Sequence, residues 1–311
     1  MDGILVVAKP VGPTSHDVVG LIRRLSGTKR VGHGGTLDPF ASGVLPIFLG
    51  KATRLVEYHL GDRKRYRATI CFGASSTTDD LEGELTPSAG PPPSREAFDA
   101  ALEAFRGPIR QRPPDYSAIK VAGRRAYAMA RAGQPVELAL RDVTIHAIDV
   151  VSWDGTDAQR PVGVVDVECS AGTYVRSLAR DLGAAVGSAA YLGALIRTAS
   201  GPFELAAAIE VETIRAAAAD DPAAVERLLL PLDAGLDSFP RLTVDATAIG
   251  AISRGQAAAL PGGSEAPPEG PILIVDDTGR LIAVATLKDG RLAPDKVLVD
   301  MSAAAAIPGS R

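Results

Sequence analysis

The apolar positions of the chain fall into short runs rather than one long stretch. Gly3–Ala8 is a near-continuous apolar run, the pattern of a strand buried on both faces, and Val44–Leu49 repeats it up to Gly50. Between them Val18, Val19, Leu21, Ile22 and Leu25 recur at helical spacing. Thr14 with Asp17 three positions on precedes them and Gly27 follows, so the pattern predicts a capped helix after a turn at Lys9–Pro13. Lys51–His59 reads as a short helix, and Arg63–Gly73 as a strand whose start is crowded by long polar side chains. Thr77–Gly83 reads as a loop and the proline-rich residues 86–93 as a linker. Ser94 then caps an amphipathic helix carrying Phe98, Leu102 and Phe105, closing at Gly107. Strand signals return at Val143–Val151 and Val162–Ser170, followed by a glycine turn and a helix beginning near Tyr174. Alanine-rich residues 206–230 read as helical, with a boundary near Asp237–Pro240. The remainder, Arg241–Val244, Pro271–Asp276, Leu281–Leu287 and Lys296–Val299, reads as short strands joined by glycine turns, which suits a small β-barrel.

Composition narrows the class. The chain has 311 residues, room for one large domain and a smaller one. No run of eighteen apolar residues occurs, so no membrane span is expected, and the N-terminus reads as a first strand rather than a signal peptide. Cys71 and Cys169 lie in strand-like runs, the pattern of buried reduced thiols in a cytoplasmic protein. Four scattered histidines and no Cys/His cluster argue against zinc, and Thr77–Gly83 lacks the spacing of a calcium loop despite the adjacent Asp79 and Asp80.

Charge changes the picture more. The net charge is −4, yet residues 1–75 carry eleven Lys/Arg against five Asp/Glu, and residues 106–131 carry seven against one. Two basic segments on an acidic chain could form a face that grips a phosphate backbone. They could equally be a solvated face whose charges pair with neighbouring acids.

Candidate chemistry concentrates in Gly32–Pro46, where four glycines and an Asp38–Pro39 turn present one carboxylate on a constrained loop leading into an apolar run. A lone Asp-Pro is most simply a structural turn. The stretch is neither a dinucleotide fingerprint nor a P-loop, because the required third or upstream glycine is missing. A second candidate is Cys169–Gly183, where Arg176 falls in the first turn of the predicted helix. The helix dipole disfavours a cation there, so Arg176 is either a solvated surface arginine or has an anionic partner.

These stretches carry a resemblance. Gly32–Pro46 matches, at all ten fixed positions, the G-H-x-G-x-L-D-P-x-A-x-G-x-L-P pattern of the TruB family of tRNA pseudouridine synthases. The family's Lys-Pro-x-Gly-x-Thr-Ser opening is similar to Lys9–Ser15, with Ala8 departing from an acidic or amide residue. Its K-x-Y is matched by Lys64 and Tyr66, and its P-x-x-Y-S-A-x-K-x-x-G-x-x-x-Y segment by Pro113–Tyr127. Its G-T-Y-x-R is matched by Gly172–Arg176. Ala190–Phe203 resembles A-H-L-x-x-L-R-R-T-x-x-G-x-F, with Tyr191 and Ile196 replacing the histidine and the first arginine.

The resemblance implies an α+β fold with a mixed central sheet of the pseudouridine synthase type in residues 1–237, and a PUA-like small β-barrel in 238–311. It implies isomerisation of uridine to pseudouridine in the T-loop of tRNA, position 55, without metal or cofactor. Asp38 would be the nucleophile, aimed at ribose or base, and Arg176 would keep it ionised. Tyr66 would stack on the flipped uracil, Tyr174 and Leu195 would shape the pocket, and His33 would fill the opened T-loop. Lys9, Lys64, Lys120, Arg124 and Arg197 are expected to contact RNA, with 106–131 as the gripping segment. The setting implied is cytoplasmic, as a monomer with no obligate protein partner. Two other readings stay open: an RNA-binding or RNA-folding module without catalysis, which has no need of Asp38, Tyr66 and Arg176 together, and a deaminase, which the absent zinc signature disfavours.

Overall fold

The computed structural model describes every residue except 118, 122, 135, 222, 263–266 and 300–311, and only the backbone of 120, 121, 125, 131 and 220. The first strand, β1 (Gly3–Lys9), leads through the turn into α1 (Ser15–Ser26). Thr14 and Asp17 form a reciprocal capping box on α1, and Gly27 ends it in the left-handed conformation, as the sequence pattern predicts. Next come β2 (Val31–His33), β3 (Ser42–Leu49), a 3-10 turn over Gly50–Arg54, α2 (Val56–Leu60) and β4 (Lys64–Phe72). A small hairpin, β5 (Ala74–Ser76) with β6 (Leu85–Pro87), carries the Thr77–Gly83 loop. After α3 (Arg95–Glu103) and β7 (Gly107–Gln111) lies a basic hairpin of β8 (Lys120–Val121) and β9 (Arg124–Arg125), followed by α4 (Ala126–Arg131). The strands β10 (Arg141–Asp154) and β11 (Val162–Cys169) precede α5 (Val175–Ala185) and β12 (Ala190–Ser200).

Short strands β13 (Phe203–Glu204) and β14 (Ile209–Glu210) complete a ten-stranded sheet in the order β14–β1–β3–β12–β4–β11–β10–β7, with β2 on β3 and β13 on β12. The pairs β1/β14 and β3/β12 are parallel and the other pairs antiparallel, so the sheet is mixed. Both faces of β1 are covered: Leu5 and Val7 pack under α1, while Ile4 and Val6 meet Val44, Phe48 and Phe203. That double burial is the reason its sequence reads as a continuous apolar run. Phe98 and Leu102 of α3 and Leu178 and Leu182 of α5 pack with Ala68, Ile70 and Phe72 of β4 in one cluster. Trp153 stacks on Phe98 in that cluster, with ring centroids 5.2 Å apart, and serves packing.

The alanine-rich stretch is not one helix. It divides into α6 (Val211–Asp220) and α7 (Ala224–Arg227), and Asp221 between them is extended, as expected of a residue that precedes proline. Beyond it, β15 (Arg241–Thr243), β16 (Ala258–Ala259), β17 (Ile272–Val275), β18 (Leu281–Lys288) and β19 (Arg291–Val297) form a curled five-stranded sheet, the PUA-like barrel architecture. Two features differ from the sequence reading. α8 (Ala246–Ser253) is a helix capped by Asp245, hidden in the sequence by its threonine, glycine and isoleucines. And β19 starts at Arg291, tolerating Pro294 because the ladder shifts register at that point. Leu273, Val275, Leu281 and Val284 of this sheet pack on Leu55 and Leu236, and Lys296 pairs with Glu57 at 2.7 Å.

Candidate active site

The loop before β3 is shaped by its glycines and fastened from three sides. Gly35 and Gly43 take φ of +125° and +108°, and a Cβ on Gly43 would lie 2.2 Å from the Arg197 carbonyl oxygen. Gly34 is there for space, since a Cβ would meet the Phe48 ring at 2.9 Å, whereas Gly32 sits in β2 with room to spare. From α1, the Ser15 hydroxyl donates to the Leu37 carbonyl (2.9 Å) and accepts from the Leu37 N–H (2.8 Å). From β1, the Lys9 ammonium donates to the carbonyls of Ala41 (2.6 Å), Pro39 (3.3 Å) and Pro10 (2.9 Å). From β12, the Arg197 guanidinium donates to the carbonyls of Val44 (2.7 Å), Gly35 (3.1 Å) and Thr36 (3.3 Å). A buried polar group left without a partner costs about 1–3 kcal/mol, so this many bonds fix the backbone on both sides of Asp38.

Asp38 meets Arg176, whose Nε lies 3.0 Å from Asp38 Oδ2. Arg176 is the second residue of α5, and the helix begins there because Gln111 Oε1 of β7 accepts the Tyr174 N–H at 2.8 Å in place of a local cap. The guanidinium is 7% exposed and is met on every side. Nη1 reaches Asp80 Oδ2 at 3.2 Å and donates to the Thr78 carbonyl at 3.1 Å, and Nη2 donates to the Tyr116 carbonyl at 3.0 Å. One turn on, Arg180 pairs with Asp79 at 2.7 Å. The unfavourable dipole position of Arg176 is thus offset by two carboxylates and two carbonyls. Asp38 itself is pushed above the ordinary carboxylate pKa, chiefly by burial; Asp80 adds to the rise, and Arg176 and Lys9 oppose it. The sequence reading expects Arg176 to keep Asp38 ionised; Arg176 opposes the rise, but burial outweighs it.

Asp38, Arg176, Tyr66, Tyr174 and Leu195 all line one cavity of about 690 Å³. The sheet brings them together: β12 runs beside β3 and β4 at once, placing Arg197 opposite Tyr66 and next to Gly43. Burial raises the phenol pKa of both Tyr66 and Tyr174. His33 is not among the lining residues. It lies half-buried at the end of β2, its Nδ1 accepting the Gly35 N–H at 3.3 Å, and burial lowers its pKa.

Three residues expected to touch RNA are buried, and two of them, Lys64 and Arg197, line the cavity. Lys9 and Arg197 are each 1% exposed and hold the loop backbone, and burial lowers the Lys9 pKa to about 8. Lys64 is buried too; its ammonium donates to the carbonyls of Asp62 (2.7 Å) and His59 (3.3 Å), although it reaches the cavity wall. Arg124 is exposed on β9 and donates to Gln134 at 3.0 Å. Lys120 pairs through its backbone with Arg125, and its side chain lies outside the described residues. The first basic segment is also less free than its count suggests, since Arg63, Arg65 and Arg67 pair with Glu168, Glu204 and Asp166. Such exposed pairs add about 0–1 kcal/mol each and leave little charge for a polyanion.

Sequence reasoning missed Asp80, Thr78 and Tyr116, the other partners of Arg176, together with Leu60 and Tyr127 on the cavity wall. A signal was present for the acids. Arg176 and Arg180 stand four apart on one helix face, and Asp79 and Asp80 are adjacent in a loop. Among the described residues no cluster of His, Cys, Asp or Glu is placed to hold a metal ion, and no helix is long and apolar enough to cross a membrane.

Comparison with known proteins identifies the class. Residues 23–175 match the model of the TruB family pseudouridylate synthase N-terminal domain, and residues 176–237 match that of the tRNA pseudouridylate synthase B C-terminal domain. The tRNA pseudouridine synthase B of Bradyrhizobium diazoefficiens is 42% identical over 310 residues, covering 99% of this chain and 88% of its own. That of Thermobifida fusca is 44% identical over 303 residues, covering 94% and 97%. Among solved structures, a Cbf5–Nop10–Gar1 complex superposes with a TM-score of 0.71 at 26% identity, over 96% of this chain and 86% of the other. The fold and the matches together define a pseudouridine synthase. Within that class, the chain belongs to the TruB family.

Proposed function

We propose that the protein isomerises the T-loop uridine of tRNA, position 55, to pseudouridine, with Asp38 as nucleophile and no metal or cofactor. The observation that carries this reading is the Asp38–Arg176 pair in the wall of a cavity also lined by Tyr66, Tyr174 and Leu195. About 690 Å³ falls within the range of small-ligand sites and accommodates a single flipped nucleoside. In the reaction the bond from ribose C1′ to N1 of uracil breaks and a bond to C5 forms. The C5 proton leaves and N1 gains one, so no oxidant or second substrate is consumed. Asp38 attacks while Arg176 orients it, and its bond to the substrate breaks again before the product leaves; Tyr66 gives the detached base a flat face, and Leu195 and Tyr174 limit its rotation.

His33, which accepts the N–H of the cavity residue Gly35, fills the space the uridine vacates. Residues 1–237 supply the catalytic body and 238–311 a PUA-like RNA-binding module. Exposed cations of 106–131, Arg124 among them, grip the backbone of the T-arm, with Lys120 joining them. The protein acts in the cytoplasm as a monomer. Relatives that carry the name tRNA pseudouridine synthase B over nearly the whole chain support the substrate class. The test is to incubate the protein with unmodified tRNA transcripts and nothing else, then map pseudouridine by sequence position. Conversion confined to position 55 is expected; conversion elsewhere only, or none, contradicts the proposal.

A further inference from the structure

The Asp38–Arg176 pair lies inside a larger set of charges. Four carboxylates, those of Asp38, Asp79, Asp80 and Asp181, face two guanidiniums, Arg176 and Arg180, which stand four positions apart on α5. Arg176 has little capacity to spare. Its Nε serves Asp38, its Nη1 serves Asp80 and the Thr78 carbonyl, and its Nη2 serves the Tyr116 carbonyl, so four of its five donors are taken. Asp79 stands in the chain between Thr78 and Asp80, the two residues that Nη1 holds. It cannot swing clear of them. Its backbone is left-handed at φ +61°, its carbonyl accepts the Leu192 N–H at 3.0 Å, and its side chain is only 15% exposed. Arg180 takes this carboxylate, with Nη1 2.7 Å from Asp79 Oδ2, while its Nε donates to Asp181 at 2.9 Å and its Nη2 to the Arg112 carbonyl at 2.8 Å. Burial raises the Asp79 pKa; Arg180 opposes the rise first and Arg176 after it, and Asp181 adds to it.

We propose that Arg180 is a positioning residue: by engaging Asp79 it keeps the Arg176 guanidinium for Asp38. The inference rests on the functional reading above and deepens it. Without Arg180 the four carboxylates would share one guanidinium, and Asp79, fixed beside the partners of Nη1, would draw it away from Asp38. The charges facing Asp38 would then change in one direction. Arg176 would hold it less, Asp80 and the unpaired Asp79 would repel it, and Lys9 alone would still oppose them. The acid limb of the rate profile would move to higher pH. Arg180 is not among the residues lining the cavity, so it reaches the reaction only through other side chains.

The test is single-turnover conversion of tRNA across pH by Arg180→Met, Asp79→Asn and the double variant, with tRNA affinity and the thermal transition measured for each. Arg180→Met is expected to slow the parent at least tenfold at neutral pH and to raise the acid limb, with affinity near parental. Adding Asp79→Asn removes the competing carboxylate, so the double variant converts faster than Arg180→Met alone and its acid limb returns towards the parental pH. If Arg180 served only to hold the Arg112 carbonyl, the loss of Asp79 would restore nothing. A parental rate or an unmoved limb in Arg180→Met, or a double variant no faster than it, overturns the proposal. Should Arg180→Met not fold, Arg180→Lys keeps a charge opposite Asp79 and gives up the fork that also reaches Arg112. A parental acid limb is expected of that protein, and a raised limb contradicts the proposal. A further measurement needs no turnover: at neutral pH Arg180→Met lowers the thermal midpoint of the parent more than that of the Asp79→Asn protein, and equal shifts contradict the pairing. Failure of the parent to modify tRNA would instead count against the functional reading, leaving the midpoints to test the pair by themselves.

Discussion

Ser15 and Leu37 are joined by two hydrogen bonds, one in each direction, so the first residue of α1 clamps the peptide next to Asp38. Serine supplies donor and acceptor from one atom, and alanine supplies neither. Ser15→Ala is predicted to lower kcat about tenfold or more while tRNA affinity stays near parental, because small displacements of a reacting group are costly. Single-turnover rates with saturating enzyme, beside filter-binding constants, check this. A parental rate would show that Lys9 and Arg197 hold the loop unaided.

Asp38 is held at a cost to the fold. Its pKa is raised in the folded protein, so above its folded pKa the partly desolvated ionised carboxylate subtracts from stability. Below the unfolded value near 3.8 both states are protonated and the penalty is gone. Asp38→Asn is therefore predicted to raise the thermal midpoint at pH 7, with the gain shrinking as pH falls through the folded pKa towards that value. Melting curves of both proteins from pH 4 to 8 test it. A midpoint lowered at pH 7 would mean that the pair with Arg176 outweighs burial.

Arg176 and Asp80 pull the Asp38 pKa in opposite directions, and their variants separate accordingly. Arg176→Met removes the opposing cation, so the acid limb of the rate profile should move to higher pH, with a large loss of rate at neutrality. It should also destabilise, since stranding a buried charge partner costs about 3–5 kcal/mol. Asp80→Asn removes a repelling carboxylate but also a brace for Arg176, so the acid limb should move to lower pH while the plateau rate falls. Limbs that move together would contradict this account of the triad.

RNA affinity should depend on cations left exposed rather than on the sequence count. Replacing Arg110 and Arg124, both exposed, by alanine should weaken tRNA binding and reduce the slope of log affinity against log salt by roughly one for each phosphate no longer neutralised. Replacing Arg65 and Arg67, which pair with Glu204 and Asp166, should leave the slope within error. Equal effects of the two pairs would return β4 to the RNA face.

What could be read from the sequence was what local chemistry dictates. The Thr14–Asp17 capping box, the double-sided apolar runs of β1 and β3, and the glycine-built loop around Asp38 each carry their cause within a few residues. What could not be read depends on partners distant in the chain. Lys9 and Arg197 look like surface cations until the fold brings carbonyls to them from 30 to 162 positions away. Asp80 looks like a loop acid until β5 and β6 carry it against α5. A helix capped from another strand, as Gln111 caps α5, likewise leaves only its starting point legible, near Tyr174.

The central claim is that Asp38 is the nucleophile of a tRNA pseudouridine synthase, and one comparison tests it most directly. Parent and Asp38→Asn proteins, each in excess over unmodified tRNA, are followed for pseudouridine at position 55 through a single turnover, with tRNA binding measured alongside. The account predicts full conversion by the parent, none detectable by the variant, and similar affinities. Conversion by Asp38→Asn within tenfold of the parental rate would contradict it.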